Sequence, residues 1–354
     1  MIRFHLVSLP HTNTTEAFSS CAFTEKVRKF AAMMKGLGHE VILYAGEFNE
    51  APCDEHVVCI SEAERRQAMG TKHYCEASWD PSLPHWVTFN TNTIAGIKAR
   101  ARPRDFICLI GGTSQKCIAD AFPGMITVEF GVGHGGSFSQ FRVFESYAWM
   151  HTVYGAEGRN PAATDGRWFD AVIPGYFEPE KFPFSAEKSD YYCFVGRLIE
   201  RKGYQIAVDA CRAKGAKLLI AGQGTPPDYG EYLGVIGPEE RGKLMANAIA
   251  SFAPTVYIEP FGNVVPEAMS CGTPVITTDW GAFTETNIHG ETGFRCRSLN
   301  EFIEAMDACK TLDPYKIRDH ALSHYSVDVI AHKYDAYFKR LSTLWGDGWY
   351  QTFR

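Results

Sequence analysis

Residues 2–44 read as strand, helix, strand, and that order restricts the chain to a small set of folds. Ile2-Arg-Phe-His-Leu-Val7, continued by Ser8, is a β-prone run. Glu16–Lys35 carries apolar residues at helical spacing (Phe23, Val27, Phe30, Ala31, Met34) and stops at Gly36-Leu-Gly38, a helix-ending signal. His39–Tyr44 supplies the next strand. Together they make one βαβ unit, the building block of α/β folds. Further strands are expected at Val57–Ile60, Asp105–Ile110 and Met125–Phe130, and a helix over the aromatic-rich stretch Phe138–Tyr154. Residues 61–90 carry no clear pattern.

The texture changes at Ala171–Phe184, where a short strand runs into Pro174, Pro179 and Pro183. Such a stretch reads as an interdomain linker. A second α/β series follows. Its expected strands are Tyr191–Val195, Lys217–Ala221, Thr255–Ile258 and Pro274–Thr278. Its expected helices are Tyr204–Lys214, Pro238–Ala250, Val264–Ser270, Leu299–Lys310 and Val327–Leu344. At 354 residues two domains are expected. Residues 1–174, completed by 335–354, would form one, and 175–334 the other. Two such domains would leave a cleft between their strand ends.

Composition narrows the partners. Hydrophobic content of 45% and charged content of 21% suit a soluble chain with full cores. The net charge of −6 gives no global field for nucleic acid. Lys98-Ala-Arg-Ala-Arg-Pro-Arg104, the densest basic run, reads as the solvated end of a helix. The 11 cysteines are scattered, and Cys108, Cys193 and Cys211 lie in apolar patterns. A reduced, cytoplasmic chain is therefore expected. The N-terminus has no signal-peptide layout, and no apolar run approaches the ~20 residues that span a bilayer. Peripheral membrane contact is compatible with this composition.

Two segments carry the chemistry. In Glu259-Pro-Phe-Gly-Asn-Val-Val-Pro-Glu267, one carboxylate should end a strand and the other enter the first turn of a helix. Ligands of open parallel sheets bind at that edge. In Gly196-Arg-Leu-Ile-Glu-Arg-Lys-Gly203, Arg197 and Lys202 would lie between a strand and a helix N-terminus, a site for a diphosphate. Each also has a bland reading. A Glu in a first helical turn complements the helix dipole, and loop cations are often only solvated.

Phe194–Gly203, Ile220-Ala-Gly-Gln-Gly224, Glu259–Ile276 and His289-Gly-Glu-Thr-Gly-Phe294, in this order, resemble the C-terminal domain of retaining GT-B glycosyltransferases, and family 4 in particular. The resemblance covers about residues 191–295. It implies two Rossmann-like α/β domains facing across a cleft, with the last helix crossing back to the first. It implies that Arg197 and Lys202 hold the donor diphosphate and stabilise its growing charge, and that Glu259 bonds donor-sugar hydroxyls. The backbone of Phe261, Gly262, Asn263 and Val264 would approach sugar and phosphate. Glu267 would take the ribose hydroxyls, and Gly196, Gly222 and Gly224 would lie along the nucleotide. No metal or other cofactor is implied, and no Asp-x-Asp signature is present.

The first domain departs more from the family. Its catalytic His is expected after a strand, which makes His134 the candidate, although Glu129 lies nearer the expected strand end. The loop Leu9–Thr15 replaces the family's Gly-Gly pair, so His11 and Asn13 are acceptor-side candidates with Glu129, His134 and Arg142. The aromatic stripe over Phe138–His151 suits an acceptor platform but more often means core packing. Arg142 and Glu145 could pair across a turn. Trp345 and Trp349 are expected to pack on the first domain.

The function expected from the resemblance is transfer of a sugar, with retention, from a nucleotide diphosphate sugar to a saccharide, lipid-linked or small-molecule hydroxyl. A uridine donor is favoured. The alternatives are a sugar phosphorylase, an epimerase or a non-catalytic nucleotide-sugar sensor. A nucleic-acid acceptor is disfavoured by the acidic balance.

Overall fold

The computed structural model describes residues 1–158 and 169–344. The chain divides into two units. The first holds Met1–Phe144, the short segment ending at Ile173 and the chain from Ala331; the second holds Glu145–Pro161 and Pro174–Ile330.

In the first unit, β1 (Arg3–Val7), β2 (Glu40–Gly46), β3 (Glu55–Ile60), β4 (Phe106–Leu109), β5 (Ile126–Val132), β6 (Phe141–Phe144) and β7 (Ala171–Val172) form one sheet in the order β3-β2-β1-β4-β5-β6-β7. Every pairing is parallel. A parallel sheet is covered on both faces, so its strands are apolar throughout rather than alternating. All seven residues of β5 are buried. The helices are α1 (Ala22–Gly36), α2 (Glu62–Met69), α3 (Pro84–Arg100) and α4 (Lys116–Asp120). Tyr44, Phe89, Ile97, Ile107 and Ile118 fill one core. Phe4, Phe30, Phe106 and Phe338 fill another with edge-on rings, Phe4 and Phe338 at 4.7 Å.

The second unit carries α5 (Tyr147–Glu157), β8 (Tyr192–Val195), α6 (Tyr204–Lys214), β9 (Leu218–Ala221), β10 (Glu231–Tyr232), α7 (Pro238–Asn247), β11 (Ser251–Ala253), α8 (Val264–Ser270), β12 (Val275–Thr278), α9 (Phe283–Thr286), β13 (Gly293–Cys296), α10 (Leu299–Ala308) and α11 (Pro314–Tyr325). The final helix, α12 (Val327–Thr343), begins here and continues into the first unit at Ala331. There Tyr337 donates to the Phe169 carbonyl and His39 meets Asp335. The parallel sheet has the order β10-β9-β8-β11-β12-β13. Phe252, Phe302 and Met306 pack with α6 and α10 on one face. Met245, Val265 and Met269 pack with α7, α8 and α11 on the other. Pro174–Phe184 is no free linker. Phe177 and Phe182 are buried in this unit, and Phe177 N–H donates to the Tyr325 carbonyl.

Several expectations need correction. Thr255–Ile258 is not a strand. The strand ends at Ala253 because Pro254 has no N–H to continue the ladder. Phe138–Tyr154 is not one helix. Phe141-Arg-Val-Phe144 pairs as an interior strand, and helix begins only after Ser146, whose hydroxyl caps Trp149. Residues 61–90 hold α2 and the start of α3, the former closed by a Ser61–Glu64 capping box. The first helix starts at Ala22, behind a short 3-10 turn over Glu16–Phe18. Trp345 and Trp349 lie outside the described residues. The ten cysteines whose side chains are described form no disulfide.

Arg142 makes β6 informative. Its side chain is fully buried, its Nε and Nη2 donate to Asp170 Oδ2 at 3.0 and 2.9 Å, and Nη1 donates to Ser137. Removing one member of a buried pair leaves an uncompensated charge. Arg142→Ala should cost about 3–5 kcal/mol of unfolding free energy, read as a lower urea midpoint. The double change Arg142→Met with Asp170→Leu should recover most of it.

Candidate functional site

At the carboxyl edge of the second sheet the loops after β8, β9 and β11 meet. Gly222, at φ 145°, leaves no room for a Cβ, which would stand 1.8 Å from the Gly196 carbonyl oxygen. The two loops are then joined by Gly196 N–H to Ala221 and Leu198 N–H to Gln223. The tight turn expected of Gly196 is thus a demand on Gly222. Gly196 itself has ordinary φ and ordinary surroundings. A Cβ on Gly203 would likewise lie 2.0 Å from the Pro254 carbonyl oxygen, so only glycine lets the start of α6 reach the end of β11. Gly203 is also the N-cap of α6 and offers no side-chain cap, which leaves amide donors there for an anion. Gly222→Ala should lower the melting temperature and abolish whatever the edge binds, and a scanning calorimetry trace checks it.

On this edge the expected residues assemble. Lys202 Nζ lies 2.5 Å from Glu259 Oε2. Thr255 donates to the same oxygen at 3.3 Å, and the Tyr257 hydroxyl donates to Oε1 at 2.9 Å. Glu259 is buried, and both its oxygens are engaged. Burial first, and then the Glu259 charge, raise the Tyr257 hydroxyl above its usual pKa. Arg241 Nη2 donates to Glu267 Oε1 at 2.9 Å, and Glu267 Oε2 has no partner among the described residues. Arg197 is exposed and makes no ion pair among the described residues. Phe261 is core, packed edge-on against Tyr325. Asn263 Oδ1 is buried without a partner among the described residues. Val264 opens α8, and Gly262 sits at φ 79° beneath Phe283. Gly224 is pressed against Leu198. Arg241 has no signal in the sequence, because the fold brings it to Glu267 from 26 residues away, whereas Tyr257 stands two residues before Glu259 and reaches it locally.

The candidates in the first unit separate into two groups. Structural work occupies Asn13, Glu129 and Arg142. Asn13 donates to Glu62 and accepts from Phe48 N–H. Glu129 is mid-strand, because β5 continues to Val132 across a bulge, and its Oε2 accepts from Phe138 and Ser139 N–H. Two hydroxyls of the first loop are also spent, Thr12 on Thr24 and Thr14 on Asn49. His134, by contrast, follows directly on the carboxyl end of β5. Its Nδ1–H donates to the Gly135 carbonyl, its ring meets Phe23 edge-on at 5.5 Å, and burial lowers its pKa. His11 is 2% exposed, with Nδ1 unpartnered, against Trp79 at 5.4 Å and Trp86 at 6.2 Å. Trp79 also packs on Phe23. His11, Phe23, Trp79 and His134 therefore form one aromatic cluster, in which Trp79 comes from a segment with no sequence pattern.

Burial, with His85 and Arg65 adding to it, pulls the His11 pKa from 6.5 to about 4. The unfolded chain then binds a proton that the fold refuses. Its contribution is intact above pH 6.5 and is lost as pH falls toward 4, by about 3 kcal/mol in all. His11→Phe should flatten that part of the stability profile, measured by urea unfolding across this range.

Residues 189–311 match the family model described as Glycosyl transferases group 1. Among curated proteins the chain is 31% identical over 153 residues to the uncharacterized glycosyltransferase MJ1607 of Methanocaldococcus jannaschii, covering 38% of this chain and 39% of that one. It is 31% identical over 147 residues to a Mycobacterium tuberculosis glycogen synthase, covering 35% of each. The matches thus span well under half of these relatives. Solved structures cover nearly the whole chain. AviGT4, a glycosyltransferase involved in avilamycin A biosynthesis, matches at TM-score 0.68 and 19% identity over 97% of this chain and 98% of its own. Anabaena HepE in complex with UDP-glucose matches at 0.64 and 16% over 97% and 100%. The fold is GT-B.

Proposed function

For a GT-B chain of the glycosyl transferases group 1 kind, similar to family 4, we propose transfer of a sugar from a nucleotide diphosphate sugar to an acceptor hydroxyl, with retention and without a metal. The observation that carries this reading is the edge of the second sheet. There each of the two motif carboxylates is matched by a cation, Lys202 on Glu259 and Arg241 on Glu267, while Arg197 keeps an exposed guanidinium with no ion pair among the described residues. In this reading the donor diphosphate lies on Arg197, Lys202 and the uncapped start of α6. Lys202 then touches both the phosphate and Glu259. As the glycosidic bond breaks, negative charge grows on the leaving phosphate, and cations already in place stabilise it without reorganising.

Glu259 serves as an acceptor for donor-sugar hydroxyls rather than as a nucleophile. Tyr257, Thr255 and Lys202 already hold both its oxygens, which supports a leaving phosphate that itself helps deprotonate the acceptor on the same face. Glu267 has an oxygen left over for ribose hydroxyls while Arg241 fixes its rotamer. A uridine donor is favoured, as in the Anabaena relative bound to UDP-glucose. The acceptor belongs to the first unit, where His134 and the Trp79 cluster are the candidates to meet it.

Lys202→Ala and Glu267→Gln should each weaken uridine diphosphate binding roughly ten- to a hundredfold by titration calorimetry, the loss of a hydrogen bond to a charged group. Donor-sugar hydrolysis should fall with them. Wild-type affinity in both variants would remove the site assignment, and donor binding without any sugar release would make the chain a sensor.

A further inference from the structure

Outside the donor edge, the second unit has a cavity of about 470 Å³ on the face covered by α6 and α10. Its wall is split by chemistry. One side is apolar and open to solvent: Trp280 is 46% exposed, Val256 53% and Leu299 44%. The other side presents Asp279, Arg297 and Ser298. Trp280 stacks on no other ring and its indole N–H donates no hydrogen bond among the described residues, so both its face and its donor are unspent. It is held there by a tight loop. Ala282 N–H donates to the Glu259 carbonyl, and Phe283 N–H to the Trp280 carbonyl. Gly281, at φ 55°, lies so close to Glu259 N that a Cβ would approach it to 2.7 Å.

The polar side is equally fixed. Asp279 lies between Arg295 Nε and Arg297 Nε, each at 3.0 Å. Arg297 also donates from Nη2 to the Asp279 carbonyl, which leaves Nη1 without a partner among the described residues. Its side chain is 67% exposed. Three planar groups, an indole, a carboxylate and a guanidinium, thus stand around one concavity.

We infer that this cavity is a saccharide-binding subsite separate from the donor edge. A pyranose ring has an apolar face of C–H bonds and a rim of hydroxyls that donate and accept. The Trp280 indole suits the face, and Asp279 with Arg297 suits the rim, one accepting and one donating. Other ligand chemistries fit worse. An acyl chain would bury the Asp279–Arg297 pair with no compensation. An anion would face the carboxylates of Asp279 and Asp209, which both line the cavity. Lys202, Arg241 and Glu267 do not line it. Thr255 does, and its hydroxyl donates to Glu259, so the subsite and the donor edge share one residue. The inference stands whether or not the donor reading is correct.

Saturation-transfer NMR on the intact chain tests it, with methyl glycosides of glucose, galactose, mannose and N-acetylglucosamine, and with maltotriose and chitotriose. At least one should bind in the millimolar range, with saturation strongest at ring C–H protons. Trp280→Ala should weaken that ligand by about tenfold, Trp280→Phe should retain most of the binding, and Arg297→Ala should weaken it by several-fold. Excess uridine diphosphate should leave it bound. No binding by any of these sugars, binding indifferent to Trp280→Ala, or displacement by uridine diphosphate would each overturn the subsite. A folded Trp280→Phe variant guards against loss by misfolding.

Discussion

The ion pair between Lys202 and Glu259 ties together two loops that come from different strands. Lys202 ends a 3-10 turn after β8, and Glu259 sits in the irregular stretch after β11. Neither loop has a regular ladder to fix it. Their relative position rests on this contact, on the hydrogen bond from Val256 N–H to the Arg201 carbonyl and on the approach of Gly203 to the Pro254 carbonyl. Glu259 is buried and Lys202 is half-buried, so each charge would be costly without the other. The rest of the edge is arranged around that pair. Tyr257 reaches Glu259 from one side, and Arg201 stacks on the Tyr257 ring at 3.9 Å. Ala282 N–H holds the Glu259 carbonyl, and so positions the loop that carries Trp280.

Most of the parallel architecture was legible because parallel strands are buried on both faces and read as apolar runs. The failures have physical causes. Phe141-Arg-Val-Phe144 contains a charged residue and aromatics at helical spacing, and only the distant Asp170 turns Arg142 into a core residue. Thr255–Ile258 has β-prone side chains, yet Pro254 stops the ladder. Residues 61–90 hold two helices whose burial depends on partners elsewhere: Trp86 packs with Trp79 and His11, none of which a local pattern links.

The edge of the second sheet was legible for a different reason. Its glycines and carboxylates lie in contiguous motifs at loop positions, where a side chain's surroundings are set by a few residues nearby. The first unit's candidates were polar residues picked by type, and type does not separate a clamp from a ligand contact. Asn13 and Glu129 are clamps, and the sequence position of Glu129 misled because β5 runs past it to Val132. His134 gains its place from that same extension.

The start of α5 has an unusual support. Both oxygens of the exposed Glu285 accept from the amides of Tyr147 and Ala148, while Ser146 caps Trp149. The helix buries only Val153 among its eleven residues. Trp149, Met150 and Tyr154 are only half-buried, so part of its attachment rests on a carboxylate in water. Such an element belongs to the low-energy end of the native ensemble. Amides of α5 would then exchange through small local openings before those of β8 or β11.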